Sequence, residues 1–247
     1  MVTEKGIVME LSNRLQAVAN LVTPGSVLAD VGTDHGYIPI YLTEQGICPR
    51  VIAMDINPGP LDRAREHLQQ QQKMLPVELM LSDGLNALQP GIADSIIIAG
   101  MGGGLVIKIL QENRTIVEKL QECILQPQSE LYKVRAFLLQ EGFSIVQEDI
   151  ILEDGKYYPM MKAVPDVKNP EKHQEWSQIE LLYGRYLLRE KNPVLKQYLE
   201  RELLLKNDIL KGLKNRSGEA VHKRRCELEE DLDWVKHALV CYEVVSK

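Results

Sequence analysis

A chain of 247 residues and about 28 kDa is one large domain, or a domain of ordinary size with a smaller companion. Hydrophobic residues at 45% and charged residues at 26% supply enough apolar surface for a core and exclude wholesale disorder. Thirty-five acids against 29 Lys and Arg leave a net charge of −6, which excludes a uniformly basic coat but not a local basic patch.

Along the chain, Met1–Asn13 carries Glu4 and Glu10 without a long apolar run, so it does not read as a signal peptide. A leading helix is predicted over Leu11–Val22. Strands are predicted over Val27–Val31, Val51–Ile56, Val77–Leu81, Ser95–Ala99, Cys123–Gln126 and Ser144–Ile150. Helices are predicted between them, over Ile38–Gln45, Gly59–Gln72, Leu105–Leu120 and Ser129–Gln140. Continuous apolar strands alternating with amphipathic helices imply βαβ units and a parallel sheet covered on both faces. An acidic turn at Glu153–Gly155 joins two extended segments, so one antiparallel strand is expected at the end of the sheet. The most apolar stretch, Ser95–Leu110, is broken by Gly100, Gly102–Gly104 and Lys108 and is not a membrane span. The four cysteines, Cys48, Cys123, Cys226 and Cys241, form no CxxC pair; they read as buried or idle thiols of a cytoplasmic protein without a structural metal.

After Val164 the character changes. Pro165–Trp176 is polar and reads as a linker, which divides the chain into domains 1–165 and 166–247. Beyond it, Val221, Leu228, Leu232, Val235, Leu239 and Tyr242 make one heptad-like stripe, and Val194, Tyr198, Leu205, Ile209 and Leu213 a second. With a turn at Asn215–Gly218 and Ser217 as candidate N-cap, this predicts an antiparallel, coiled-coil-like helical hairpin.

The most informative residues are Leu28–Tyr37, an apolar strand entering a glycine turn that opens a helix. Gly32 lets the backbone turn and a ligand approach, and Gly36 lets the helix pack close to the strand. A dinucleotide fingerprint is G-x-G-x-x-G, whereas this run, starting at Asp30, is D-x-G-x-D-x-G with Asp34 at the second glycine position. A carboxylate there repels a pyrophosphate but suits the amine and sulfonium of S-adenosylmethionine. Asp55, 23 residues after Gly32 and followed by Ile56, ends the second strand, where an acid accepts from ribose hydroxyls. Asp83-Gly84 follows the third strand, where an Asp can meet the adenine amino group. The fourth strand runs into Gly100-Met101-Gly102-Gly103-Gly104, glycines over which a ligand can approach backbone, or simply a turn ahead of a helix. These positions share the carboxyl edge of consecutive strands, the ligand edge of open α/β sheets.

At these residues the sequence resembles the bacterial tRNA (adenine-22-N1)-methyltransferase family, often called TrmK. The likeness rests on Leu11–Leu15, Asp30–Tyr37 with its Asp-His pair, Ile98–Gly103, Leu125-Gln126-Pro127 and Glu153–Tyr158, and spans nearly the whole chain. It implies a Rossmann-like methyltransferase domain with a carboxyl-terminal coiled coil, S-adenosylmethionine as donor, and N1 of adenosine 22 in the D-arm region of tRNA as acceptor. The chain departs from the family pattern at Gln128, where relatives commonly carry Asn, and at Pro159, where they carry Glu.

An N1 attack needs no prior proton removal, so alignment supplies most of the catalysis. Asp34 is the candidate for the methionine amine or for stabilising the charge that develops on the ring; His35 for the carboxylate end or the ring; Tyr158, with Tyr157, for stacking on the base. His35 as a loop hydrogen-bonder and the tyrosines as strand packing remain open readings. Between Gly184 and Arg225, twelve Lys and Arg face five acids, so this segment is +7 and the remainder −13. That asymmetry predicts an RNA-binding surface at the hairpin tip, on Lys211, Lys214, Arg216, Lys223, Arg224 and Arg225. Solvated faces balanced by Glu227, Glu229, Glu230, Asp231 and Asp233 are the competing reading. The expected state is a monomer with tRNA as partner and no membrane. Asp34 argues against a nicotinamide dehydrogenase, and intact Asp55 and Asp83 argue against a vestigial, non-catalytic RNA-binding module. Methylation of another RNA position stays open.

Overall fold

The computed structural model of the chain describes residues 10–165, 175–214 and 216–243. It divides into two compact units, one within Met1–His173 and one within Gln174–Lys247.

The first unit opens with α1 (Asn13–Asn20), begun at Ser12, whose hydroxyl accepts the Leu15 N–H. There follow β1 (Leu28–Val31), α2 (Tyr37–Glu44), β2 (Val51–Asp55), α3 (Pro58–Gln69), β3 (Val77–Leu81) and β4 (Ser95–Met101). Then come α4 (Gly103–Glu112), α5 (Arg114–Val117), β5 (Glu122–Pro127), α6 (Leu131–Gln140) and the hairpin β6 (Phe143–Glu153) and β7 (Lys156–Pro165). Seven strands form one sheet in the order β3-β2-β1-β4-β5-β7-β6. β7 alone runs opposite to the other six strands, so the architecture is the mostly parallel sheet that the alternating pattern implies, and the Rossmann-like one that the family resemblance implies. The central strands are buried along their length because helices cover both faces, and this is why their sequences are unbroken apolar runs. Edge strand β3 is only partly covered, and its Leu81 is 58% exposed.

Two buried polar anchors tie the sheet to its surroundings. Arg135 of α6 pairs with Glu148 of β6 at 2.8 Å, both side chains almost wholly buried. Glu122, at the start of β5, accepts from Thr23, Ser95 and Lys162, the last at 2.6 Å.

The expected single helix over Leu105–Leu120 is instead α4 and α5. Buried Asn113 turns its amide onto the Ile109 carbonyl at 3.0 Å, leaves helical geometry (φ −117°, ψ 32°), and starts a new turn. Cys48 and Cys123 are buried as expected, but Cys226 and Cys241 are exposed free thiols.

The second unit contains α7 (Gln178–Tyr183), α8 (Arg185–Arg189), α9 (Pro193–Leu213) and α10 (Glu219–Val240). Asn192, followed by Pro193, caps α9 by accepting the Val194 and Leu195 N–H groups. α9 and α10 lie antiparallel: Tyr242 Oη donates to the Asn192 carbonyl at 3.0 Å, and Lys206 meets Asp231 at 2.7 Å. On α10, Leu228, Leu232 and Val235 of the expected stripe are buried. On α9 the stripe is corrected. Leu205 and Ile209 are 47% and 45% exposed, while Leu195 and Leu199 are buried and the less exposed face continues through Glu202 and Lys206, which pair with each other at 3.4 Å. An apolar count misses that face because an ion pair occupies it. Ser217 is not the cap of α10, which begins after Gly218 with no side-chain cap. Of the expected linker, Pro165 ends β7, residues 166–174 lie outside the described ones, and Trp176 sits 4.8 Å from the Arg185 guanidinium. Among the described residues no helix is long and apolar enough to cross a membrane.

Candidate cofactor and substrate site

The strand order reverses at β1, with β2 and β3 on one side and β4 and β5 on the other, so a crevice opens where the loops after β1 and β4 diverge. The β1 loop turns because Gly32 and Thr33 both donate to the Met54 carbonyl, at 2.8 and 2.9 Å. Gly32 has φ +76°, and a Cβ there would stand 2.5 Å from the end of Met101. Gly36, also left-handed, has a different role from the one expected. Its added Cβ would meet Ala64 Cβ of α3 at 2.9 Å, so it admits a neighbouring helix rather than the strand.

A cleft of about 300 Å³ lies above this junction. Arg14 and Leu15 of α1 form one wall, Asp30 and Gly32–Asp34 the floor, Tyr37 and Ile38 of α2 another wall, and Ala99–Met101 with Gln128 the far side. Asp30 is 4% exposed; burial pushes its carboxyl up to about 6, against a lowering hydrogen bond from Thr33 and with the charge of Asp55 adding to the rise. It is therefore ionised at neutral pH, yet no cation of the described residues makes an ion pair with it. Beside it the Thr33 side chain is also buried, close enough for its hydroxyl to favour the Asp30 carboxylate. A buried carboxylate that lacks a cation fits a ligand that brings an amine, as S-adenosylmethionine does.

Of the residues expected in the cofactor site, the cleft brings together Asp30, Gly32, Asp34 and Gly100. Asp55, Ile56, Asp83 and Gly84 stand on the same sheet edge, outside the cleft lining, at the ends of β2 and β3. Asp55 Oδ1 accepts the Asn57 N–H at 2.9 Å, and Ile56 is 58% exposed. Gly84, at φ +55°, lies against Ile109 of α4, and exposed Asp83 opens the turn before it.

Asp34 lines the cleft, and His35 follows it on the β1 loop. Asp34, in left-handed conformation at φ +49°, is largely exposed and meets Arg63 of α3 at 3.3 Å and His35 Nε2 at 3.5 Å. The His35 ring stacks on Tyr37 and on His67, with centroids 5.3 and 5.8 Å away, and His67 Nδ1 lies 2.9 Å from the His35 carbonyl. Tyr158 faces the Arg14 guanidinium at 5.6 Å. The residues that sequence reasoning left out of the site are Arg14, Thr33, Gln126 and Gln128. Gln126 is fully buried, and its Oε1 accepts from both Arg14 Nη1 and the Gly100 N–H at 3.2 Å. A glutamine closing an apolar strand was the available signal.

In the second unit Lys211 and Arg224 pair with Asp208 and Glu227 on their own helices, and Arg225 is only partly exposed. Lys214, Arg216 and Lys223 are exposed and make no ion pair among the described residues. Nor do the described residues contain a group of three or more His, Cys, Asp and Glu side chains placed to hold a metal.

Residues 11–161 match the family model described as a methyltransferase domain. The chain is 29% identical over 232 residues to the tRNA (adenine(22)-N(1))-methyltransferase of Bacillus subtilis, covering 94% of this chain and 98% of that protein. It superposes on the Streptococcus pneumoniae protein Sp1610 in complex with S-adenosyl-L-methionine with a TM-score of 0.82 at 29% identity, covering 93% of this chain and all of that one. Against Mycoplasma capricolum TrmK bound to S-adenosyl-homocysteine the TM-score is 0.78 at 25% identity, covering 94% and 99%. With the likeness extending through both units, the chain belongs to the methyltransferase-domain family and, within it, to the bacterial tRNA (adenine-22-N1)-methyltransferases.

Proposed function

We propose that this chain methylates N1 of adenosine 22 in tRNA, with S-adenosylmethionine as donor. The observation that carries the reading is the seat at the β1–α2 junction, where the Asp30 carboxylate is buried beside Thr33 and makes no ion pair among the described residues. The match over 94% of the chain to an enzyme of that name supports the acceptor.

Asp30 and Thr33 would hold the amino-acid end of the donor, Asp55 the ribose hydroxyls, Asp83 the adenine amino group, with Ile56 packed on the ring and Gly32, Gly36, Gly84 and Gly100 giving backbone clearance. Asp34 and His35 frame the entrance, Asp34 through Arg63 and His35 through its ring stack. When bound, S-adenosylmethionine supplies an electrophilic methyl group on a sulfonium whose sulfur keeps the bonding pair. N1 of adenine offers an in-plane lone pair and carries no proton, so no residue has to act as base. The protein's work is to align N1 with the methyl and to exclude water, an effect worth up to about 7–11 kcal/mol. Tyr158, braced by Arg14, offers a ring face for the extruded base, which costs a few kcal/mol to unstack. The helical unit, residues 166–247 with the basic tip Lys211–Arg225, holds tRNA phosphates. The protein acts as a monomer in the cytoplasm, with no structural metal.

Incubation of the protein with unmodified tRNA and donor, followed by nucleoside mass spectrometry and mapping, should yield N1-methyladenosine at position 22. Exclusive formation of N6-methyladenosine or a methylated guanosine would overturn the acceptor.

A further inference from the structure

Two glutamines border the far side of the cleft, and their amides are differently engaged. Gln126 is fully buried and its carbonyl oxygen is taken by Arg14 and by the Gly100 N–H. Gln128 is exposed and lines the cleft; its backbone N–H donates to the Met101 carbonyl at 2.8 Å, which fixes where its side chain starts. The Gln128 amide has no hydrogen-bond partner among the described residues. It stands beside Gly100, where an added Cβ would lie 3.8 Å from Gln128 Nε2 and equally far from Arg14 Nη1. A free carboxamide therefore faces the cleft from the β4 and β5 side, across from the β1, β2 and β3 loops.

A carboxamide presents one donor and one acceptor side by side, which matches the N6 amino group and N7 of adenine in a bidentate pair. An adenine held on that edge keeps N1 unobstructed. An amide on the opposite, pairing edge would occupy N1 and block the reaction. Guanine offers O6 and N7, both acceptors, so the amide oxygen would face O6 without a hydrogen between them.

We propose that Gln128 selects the target base by gripping adenine at N6 and N7. This rests on the adenine-N1 reading above.

The test uses the full chain and synthetic tRNA bearing either adenosine or 7-deazaadenosine, which lacks the N7 acceptor, at the target position. The ratio of kcat/KM on adenosine to that on 7-deazaadenosine should be about tenfold higher in wild type than in Gln128→Leu, the loss of one hydrogen bond. Gln128→Leu should be slower than wild type on adenosine, and Gln128→Glu, whose carboxylate repels N7 but tolerates a C–H, should have the lowest ratio of the three. Any change in N1 basicity caused by the deaza ring is common to all three proteins and cancels in the comparison. Unchanged affinity for S-adenosylmethionine by calorimetry verifies that the variants are folded. A wild-type adenosine-to-7-deazaadenosine ratio no larger than that of Gln128→Leu overturns the role of Gln128 alone. Absence of N1-methyladenosine from wild type on the adenosine substrate overturns the assigned function and this inference with it.

Discussion

Asp30 sits in a state that suits a ligand better than the empty protein. Its carboxyl is raised from the ordinary 3.8 to about 6 by burial, opposed by a Thr33 hydrogen bond and reinforced by Asp55. The folded chain thus holds more protons than the unfolded one between those values, so stability should fall as pH rises from about 4 to 6 and level off above. Two pH units correspond to about 3 kcal/mol at most. Asp30→Asn should therefore raise the melting temperature of the ligand-free protein at pH 8 more than at pH 4, while weakening S-adenosylmethionine binding in calorimetry. Asp55→Ala tests the neighbouring seat. It should lose charged hydrogen bonds of about 1.5–3 kcal/mol each, and wild-type donor affinity in that variant would remove Asp55 from the site. The sequence marked both carboxylates, but its pattern put Asp34 at the ligand amine. Spacing along a loop does not disclose side-chain direction; the left-handed backbone at Asp34 turns its carboxylate toward Arg63, which lies 29 residues further along the chain. Arg14 and Gln126 were invisible for the same reason, since they meet only after α1 packs beside β5 and β7.

Elements were legible where one physical rule governed them. Fully buried strands require unbroken apolar runs, and those runs marked β1, β2, β4 and β5 to within a residue or two. Where a side chain competed with the backbone, as at Asn113, or an ion pair took a packing position, as at Glu202 and Lys206, hydrophobic periodicity misplaced the element or its face. The same limit hides the Arg135–Glu148 pair, which joins α6 to β6 in a place where the pattern admits only apolar residues. Arg135→Met alone leaves Glu148 buried without its cation and should cost about 3–5 kcal/mol in urea denaturation. Adding Glu148→Leu should restore much of that loss, because the pair's attraction roughly balances its desolvation. A double variant as unstable as the single would show that the pair itself supplies net stability. Gly103 makes a comparable prediction for α4. A Cβ there would collide with the Ser129 carbonyl, so Gly103→Ala should displace the loop that caps α4 through Ser129 and Glu130, with a loss of about 1–3 kcal/mol.

At the scale of the whole molecule, charge is segregated: +7 between Gly184 and Arg225 against −13 elsewhere. An acidic body repels a polyanion, so tRNA affinity must come from the basic segment if the chain acts on tRNA. Truncation after Pro170 should then leave S-adenosylmethionine binding nearly intact and abolish most tRNA methylation. The charge count along the sequence weights the residues of that segment evenly. The folded hairpin separates them: Lys211 and Arg224 already have carboxylate partners, Arg225 is partly covered, and Lys214, Arg216 and Lys223 are exposed without ion pairs among the described residues. Exposed helix pairs are worth only tenths of a kcal/mol, so Lys211 and Arg224 can still exchange an acid for a phosphate. The unpaired three can do so without breaking an ion pair and should carry the larger share. Replacing Lys214, Arg216 and Lys223 with Gln should lower tRNA affinity and reduce the slope of log Kobs against log salt by about 0.7–0.9 for each phosphate left unneutralised. Neutralising Lys211, Arg224 and Arg225 should change that slope less. Filter-binding titrations at several salt concentrations read both slopes, and a wild-type slope in the first triple variant would mean that the hairpin tip does not touch RNA.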